Sequence, residues 1–502
     1  MNALDHILIS FKKYIFTSNS DRLNIIESVM YNSIVLKLLY LIISFAFSIS
    51  LCSADVSERS KNEPNFLIFI ADDAGMDFGC YGNPYIRTPN IDKLAESGLL
   101  FENTFLTSPQ CSPSRISILS GQYPHTTRTE DLHTPLPEGV NFITTHLKKE
   151  GYFTGSNGKT HWGPNGDRQF DWYNSSFDTF QNFIKDSKGK PFFFWTGFHD
   201  PHRIYNPGII SQPHNPDSVV VRTHLVDDDR TRRDLAMYYD EISRLDSIVG
   251  TYLDILDKEK LLDETYIIFL SDNGAPFPRE KGSLYDTGIK TPFIVLGPDV
   301  PEGEMYDGLM SVIDLAPTIL DLAEIEIPEY MPGMSFLPLL KGDLIISPEF
   351  VYSERNWHDC DEHMRSIRSD QYKLILNAYT ERPHGTAADL ANSPSWFSLL
   401  DLKHTGDLSN EQALIFTVPR PSVELYNLKM DPEEYHNLAF DPKYRQTAEY
   451  LLQELQKWMD NTDDFPSTFR TRRDHTDRIS GIRYYFEVPE LENDLPKKDS
   501  IP

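Results

Sequence analysis

Several residues of this chain have the types and spacing needed for chemistry. Asp72 and Asp73 follow the apolar run "FLIFIA", and Asp272 and Asn273 follow "IIFLS". Together they offer three carboxylates and an amide carbonyl, all hard oxygen donors. Such a set suits Ca²⁺ or Mg²⁺, whereas zinc prefers His and Cys. Either pair alone also serves to cap a helix or shape a turn. Two pairs at equivalent points after strands favour a metal. In "FHDPHR", His199, His202 and Arg203 surround a proline, a pattern suited to holding an anion or moving a proton. Lys159 and His161 in "NGKTH" and Lys281 in "PREKGSLYDTG" add cationic groups, although singly each also reads as a solvated loop residue. Finally, "TSPQCSPSRISILSG" sets Cys111 alone just ahead of a helical run of small and apolar residues. A thiol there is either structural or a nucleophile whose pKa the helix N-terminus lowers.

The elements that must position these groups can be read from the apolar runs. "NFLIFIADD" is continuously apolar, as a strand buried on both faces must be. "TPNIDKLAESGLLFENTF" gives a helix with a stop at Gly98. "GYFTGSNGKTH", "KPFFFWTGFHDPH", "TYIIFLSDNG" and "TPFIVLGP" are further strands, and "RRDLAMYYDEISRLDSIVGTYLDIL" is an amphipathic helix between two of them. Alternating strands and helices predict an α/β fold, a large mixed, mostly parallel sheet sandwiched by helices. The Asp pairs, Lys159/His161 and His199 all follow the carboxyl ends of strands, where open α/β sheets bind ligands, so they can converge on one crevice. Beyond about Pro328 the texture changes. "FVYSER", "MRSIRSDQYKLIL" and "VELYNLKM" predict a smaller α+β subdomain with an antiparallel sheet, and "PKYRQTAEYLLQELQKWMDNT" predicts its helix. The expected organisation is a catalytic domain over 62–330, a C-terminal subdomain over 331–480 and a charged tail over 481–502.

The 502 residues exceed what one small core needs, and a formal charge of -28 argues against nucleic acid or an anionic membrane as the main partner. A local cluster of Lys, Arg and His still allows an anionic substrate. The stretch "SIVLKLLYLIISFAFSISLCSAD" is long enough for a membrane span, but Cys52-Ser53-Ala54 resembles a small-residue cleavage site. Residues 1–54 therefore read as a signal peptide, with Met30 as an alternative start, and predict export to the periplasm or beyond. A lipoprotein signal is disfavoured by the bulky Leu51, and no stable membrane association is expected. After cleavage Cys80, Cys111 and Cys360 remain, too few for a disulfide scaffold. Cys80 and Cys360 can pair or stay thiols, and Cys111 is left over either way.

"CSPSRISILSG" resembles the signature of the formylglycine-dependent sulfatases, Cys-x-Pro-Ser-Arg before a small-residue helix. The resemblance extends through "ADDAGMDFGCYGN", "GKTHWGP", "FHDPHR", "SDNGAPFPREKGSLYDTG", "VIDLAPTILDLA" and "ELYNLKMDPEEYHNLA". "FHDPHR" and "SDNGAPFP" are similar to the heparan N-sulfatase (sulfamidase) branch, whose bacterial relatives act on other sulfated polysaccharides too. The resemblance implies an alkaline-phosphatase-like fold, one Ca²⁺ and a Cys111 converted to formylglycine by a maturase during export. One hydroxyl of the hydrated aldehyde would attack sulfur, and loss of the other's proton would expel sulfate. The resemblance further implies Asp72, Asp73, Asp272, Asn273 and the modified Cys111 as metal ligands. Arg115 and Lys159 would hold the diol, His161 would act as base, and His199 and Lys281 would bind sulfate, His199 also protonating the leaving atom. Lys281 fits the general sulfatase pattern where the sulfamidase proper has arginine, which weakens a claim of N-sulfate specificity. His202, Arg203, His358, His363 and Arg365 are candidates for gripping a sulfated glycan. A phosphatase or phosphonate hydrolase of the same superfamily is the alternative reading, and one oxygen-rich site fits it less well than two metals would. A non-catalytic glycan-binding relative would need a lost catalytic residue, and none is missing.

Overall fold

A computed structural model describes residues 63–467, apart from 344–346 and 385–386. The expected signal peptide (1–54) and tail (481–502) lie outside the described residues. Among the described residues no helix is long and apolar enough to cross a membrane.

Eight strands make the larger sheet: β1 (Asn65–Ala71), β2 (Leu99–Phe105), β3 (Phe153–Gly158), β4 (Trp172–Asn174), β5 (Phe192–Gly197), β6 (Thr265–Ser271), β7 (Lys290–Leu296) and β8 (Glu304–Ser311). Their order is β4-β3-β5-β1-β6-β7-β2-β8, and only β7 runs antiparallel to its neighbours. The central strands are buried at every position and mostly apolar because both faces are covered. Phe66, Ile68 and Ile70 of β1 enter one core, while Leu67, Phe69 and Ala71 enter the other. Phe193 and Trp195 of β5 divide from Phe192 and Phe194 in the same way. A side-chain period of two thus feeds two cores from one uninterrupted apolar run.

Helices close both faces. Helix α1 (Pro89–Ser97) and the long α2 (Asp229–Glu259) bury Ile91, Leu94, Leu235, Ile242, Leu245 and Val249 in one core. Ile116 and Leu119 from the helix that starts at Cys111, with Ile319 and Leu320 of Leu315–Leu322, fill the other. The expected helix stops at Gly98 as read, and the "LLFENTF" that follows is strand β2, which was not assigned from the sequence. Gly98 makes the break: a Cβ there would lie 2.4 Å from the Val295 carbonyl oxygen. Strands β4 and β8 were also unpredicted. Both lie at the sheet edges, and their half-exposed, polar-studded sequences lack the apolar run of the centre.

The smaller sheet is antiparallel as expected, with β9 (Val351–Arg355), β10 (Met364–Arg368), β11 (Tyr372–Asn377) and β12 (Val423–Asn427) in the order β12-β11-β10-β9. Helix Arg445–Asn461 packs Leu451, Leu455 and Trp458 onto Ile367, Leu374 and Leu425 of this sheet. A shared cluster of Phe105, Leu284, Ile289, Val351, Met364 and Ile375 joins the two sheets beside the segment that carries Lys281. All three described cysteines are free thiols, Cys80 and Cys360 included.

Candidate active site

The carboxyl ends of β1, β6, β3 and β5 converge with the N-terminus of helix Cys111–Ser120. Asp72 and Asp73 leave β1, and Asp272 and Asn273 leave the adjacent β6; all four are fully buried. The parallel pairing of β1 with β6 sets Ala71 opposite Ser271, so the two pairs emerge side by side. The Asp73 amide donates to Asp272 Oδ1 at 3.1 Å, and Ala74 donates to Ser271 Oγ at 2.9 Å, which ties the two turns together. Opposite them, β3 and β5 approach so closely that a Cβ on Gly197 would lie 1.9 Å from the Lys159 carbonyl oxygen. Only glycine fits there. Lys159 and His161 follow β3, and His199 follows β5.

Cys111 is 3% exposed. Its Sγ lies 3.4 Å from Asp72 Oδ1, 3.9 Å from Asp73 Oδ1 and 3.6 Å from Asn273 Nδ2. Burial pushes the thiol well above its ordinary pKa, and the pull of Lys159 does not offset it. Of the two readings of a plain Cys111 thiol, burial among carboxylates favours the structural one over an activated thiolate.

Cations surround the carboxylates. Arg115 donates from Nε to Asp272 Oδ2 at 2.7 Å and from Nη1 to the Lys159 carbonyl at 2.9 Å. The Lys159 ammonium pairs with Asp72. Lys281 Nζ donates to Asp73 Oδ2 at 2.7 Å and to Asp389 Oδ2 at 2.8 Å. Burial would raise the Asp72 carboxyl, but Lys159, His202 and Arg115 outweigh it and hold the group well below the usual range. At Asp73 and Asp272 burial wins, with the neighbouring carboxylates adding to it, and both rise to about 6. Burial, then Lys159 and His133, drives His161 well below its ordinary value, so its imidazole is neutral.

These residues fit a hard divalent cation. Oxygens of Asp72, Asp73 and Asp272 and Cys111 Sγ all lie within 4.8 Å of one another. Asn273 Oδ1 is buried with no hydrogen-bond donor, although its Nδ2 donates to Asp272 Oδ1 at 2.7 Å. A buried oxygen acceptor left without a donor beside two carboxylates raised to about 6 is a site short of positive charge. An oxygen-rich set of this kind matches Ca²⁺ better than zinc.

The other predicted residues divide. His202 Nε2 reaches to 3.9 Å from Asp73 and 3.6 Å from Asp389, and so lines the same cleft. His358 is buried, its Nδ1 2.7 Å from Asp359, and burial, opposed by that bond and aided by Lys281, lowers its pKa. Arg203 departs from its predicted role. Its Nη1 and Nη2 hold Asp234 at 2.7 and 2.8 Å, and its Nε donates to Pro276 at 2.9 Å. Arg365 departs as well, since it is fully buried on β10 and holds Asp464 through Nε and Nη2 at 2.5 and 2.6 Å. Charges of long reach read as ligand-gripping in sequence, yet both are committed to internal carboxylates. His363 is buried among the neighbours of Asp464. Asp389 was missed entirely; it sits in the irregular "TAADLANS", where nothing in the sequence marks it.

Comparison with known proteins agrees with this geometry. The family model described as Sulfatase matches residues 64–182 and 165–325, and that described as N-sulphoglucosamine sulphohydrolase, C-terminal, matches 279–405. The chain is 30% identical over 454 residues to human N-sulphoglucosamine sulphohydrolase, covering 80% of this chain and 90% of that protein. It is 29% identical over 460 residues to an ulvan-active sulfatase of Formosa agariphila, covering 80% and 75%. A protein solved in complex with its substrate D-glucosamine-2-N,6-O-disulfate shares the fold, with a TM-score of 0.62 at 20% identity over 80% of this chain and 99% of that one. With its metal-ready carboxylates, its buried motif cysteine and these matches over most of its length, the chain belongs to the sulfatase family of hydrolases.

Proposed function

We propose that this protein is an exported enzyme that hydrolyses sulfate groups from a sulfated glycan, with Cys111 converted to formylglycine and one Ca²⁺ held by Asp72, Asp73, Asp272, Asn273 and residue 111. The observation that carries the reading is the position of Cys111, buried with its Sγ against Asp72, Asp73 and Asn273 in the cleft that also holds Arg115, Lys159 and Lys281. A buried thiol whose pKa is raised is a poor nucleophile, which supports a different, oxygen-bearing side chain at 111. Formylglycine supplies a hydrated carbonyl, hence an oxygen nucleophile with a second hydroxyl for release. Ca²⁺ supplies a Lewis acid that lowers the pKa of an oxygen at 111 and polarises a sulfate oxygen.

This chain's own groups do the rest. Arg115, anchored on Asp272, holds residue 111 and offsets negative charge. Lys159 and Lys281 bring two ammonium groups to the sulfate oxygens. Neutral His161, with its Nδ1 buried and without a partner, is ready to take a proton. His199 lies on the cleft side of β5; burial lowers its pKa, and an anionic sulfate would oppose that shift and favour the protonated form a leaving oxygen or nitrogen needs. The substrate class follows the relatives' chemistry: an N- or O-sulfated polysaccharide or glycosaminoglycan. A maturase meeting the chain during export is the implied partner.

Co-expression with a formylglycine-generating maturase, followed by peptide mass spectrometry and free-sulfate assay on heparan, chondroitin, carrageenan and ulvan oligosaccharides, tests the reading. The 107–121 peptide is expected to carry the aldehyde, with sulfate released from at least one glycan. Full activity with an intact Cys111 thiol overturns the mechanism. A phosphate ester turned over faster than every sulfated sugar overturns the reaction class.

A further inference from the structure

The proposed chemistry gives no task to Asp389, although this carboxylate faces the cleft. Its Oδ2 accepts from Lys281 Nζ at 2.8 Å and lies 3.6 Å from His202 Nε2, and its side chain keeps 19% of its surface in solvent. The loop that presents it is pinned on both sides. On one, the Ala388 amide donates to Asp359 Oδ2 at 2.8 Å, and Asp359 in turn holds His358. On the other, Ser393 caps helix α3 (Pro394–Thr405), and Ser395 donates to Asp234, the carboxylate that Arg203 grips. Asp359 and Asp234, paired in turn with His358 and Arg203, thus anchor the segment that carries Asp389.

An ionised carboxylate only accepts hydrogen bonds, and it repels other anions. Its pair with Lys281 keeps Asp389 ionised beside a lysine placed to hold sulfate, and its partly open side chain can also accept from a substrate donor. A hydroxyl or N–H beside the scissile sulfate gives it a charge-assisted bond, whereas a second sulfate there meets like charge. Building on the sulfatase reading, we infer that Asp389 is a specificity-determining residue. It accepts a hydrogen bond from the hydroxyl or N–H neighbouring the scissile sulfate and excludes sugars sulfated at that neighbouring position.

Paired monosaccharides that differ only by a sulfate on the neighbouring hydroxyl test this, with glucosamine N-sulfate against N,3-O-disulfate and the equivalent galactose and rhamnose pairs. In the series it accepts, the mature enzyme is expected to favour the singly sulfated sugar about tenfold or more in kcat/KM. Asp389→Asn, which can donate to a sulfate, is expected to collapse that ratio mainly through KM, and Asp389→Glu to restore part of it. A ratio unchanged in Asp389→Asn, both sugars slowed alike, or no preference in the parent enzyme overturns the inference. Calorimetric binding of the same pairs to Cys111→Ser protein reads the preference without turnover. A protein that discriminates in binding but releases no sulfate breaks the sulfatase reading and leaves Asp389 its role.

Discussion

Two buried ionic clusters of this protein look alike and behave differently. In the cleft Asp72, Asp73, Asp272 and Asp389 face Arg115, Lys159 and Lys281, with His202 at 3.6 Å from Asp389 and 3.9 Å from Asp73. Against the smaller sheet, Glu354 and Asp464 face Arg365 and His125, two against two. The bonding in the second cluster holds the Asp464 carboxyl well below its usual range through Arg365, despite burial. His125 is raised, Glu354 outweighing burial. Each carboxylate here has a cationic partner at close range, Arg365 for Asp464 and His125 for Glu354. In the first, Asp73 and Asp272 rise to about 6, and one buried oxygen of Asn273 has no donor. Burial of charge does not by itself mark a site; an imbalance left inside the protein does.

The largest effect should come from the first cluster's centre. Cys111→Ser is expected to cut sulfate release by at least about a thousandfold while leaving the thermal midpoint nearly unchanged, as measured by free-sulfate assay and calorimetry. The second cluster should show the reverse pattern. Asp464→Ala strands a buried guanidinium and is expected to cost about 3–5 kcal/mol in denaturant unfolding, with kcat retained where the protein is folded. Comparable activity losses in both variants would erase the distinction between the clusters.

Removing Ca²⁺ by chelation comes next. It should abolish turnover, and restoring the ion at about a hundredfold above its Kd should add about 2.7 kcal/mol of stability. Asp464→Ala should leave that increment unchanged, whereas Asp73→Asn should shrink it.

The smallest effects are in pH dependence. Asp73 and Asp272 have folded pKa values raised to about 6 from an ordinary 3.8, so the folded state binds more protons between those values. Ion-free protein should therefore lose stability as pH rises from about 4 through 6, and bound Ca²⁺ should flatten that decline. For raised His125, the contribution is present below about 6.5 and fades as pH rises through its folded value. For depressed Asp464, it is present above about 3.9 and fades as pH falls through its folded value. Thermal scans across pH with and without the ion separate the windows. A single shared window would contradict the assignment.

What could be read in the sequence follows burial. Strands β1, β5, β6 and β7 were legible because apolar runs are forced on strands at or beside the centre of a covered sheet, whereas β3, "FTGSNG", is largely buried but small and polar. Edge strand β8, "EMYDGLMS", is half exposed and carries no such mark. The Asp pairs were legible because strand ends announce them. Arg203 and Arg365 misled because their carboxylate partners lie 31 and 99 residues away. No local pattern distinguishes an arginine bound to an internal partner from one awaiting a sugar. Asp389 was silent for a related reason, since its meaning comes from Lys281, 108 residues distant.

The burial of Cys111 has a consequence in time. A thiol that is 3% exposed, walled by carboxylates and by Leu132 and Trp357, offers no approach to another protein's catalytic groups. Any enzyme that alters residue 111 must therefore act while the chain is still unfolded. On the proposed reading, maturation would then be a race between two rates, and a molecule that folds first would be locked out, stable and inert.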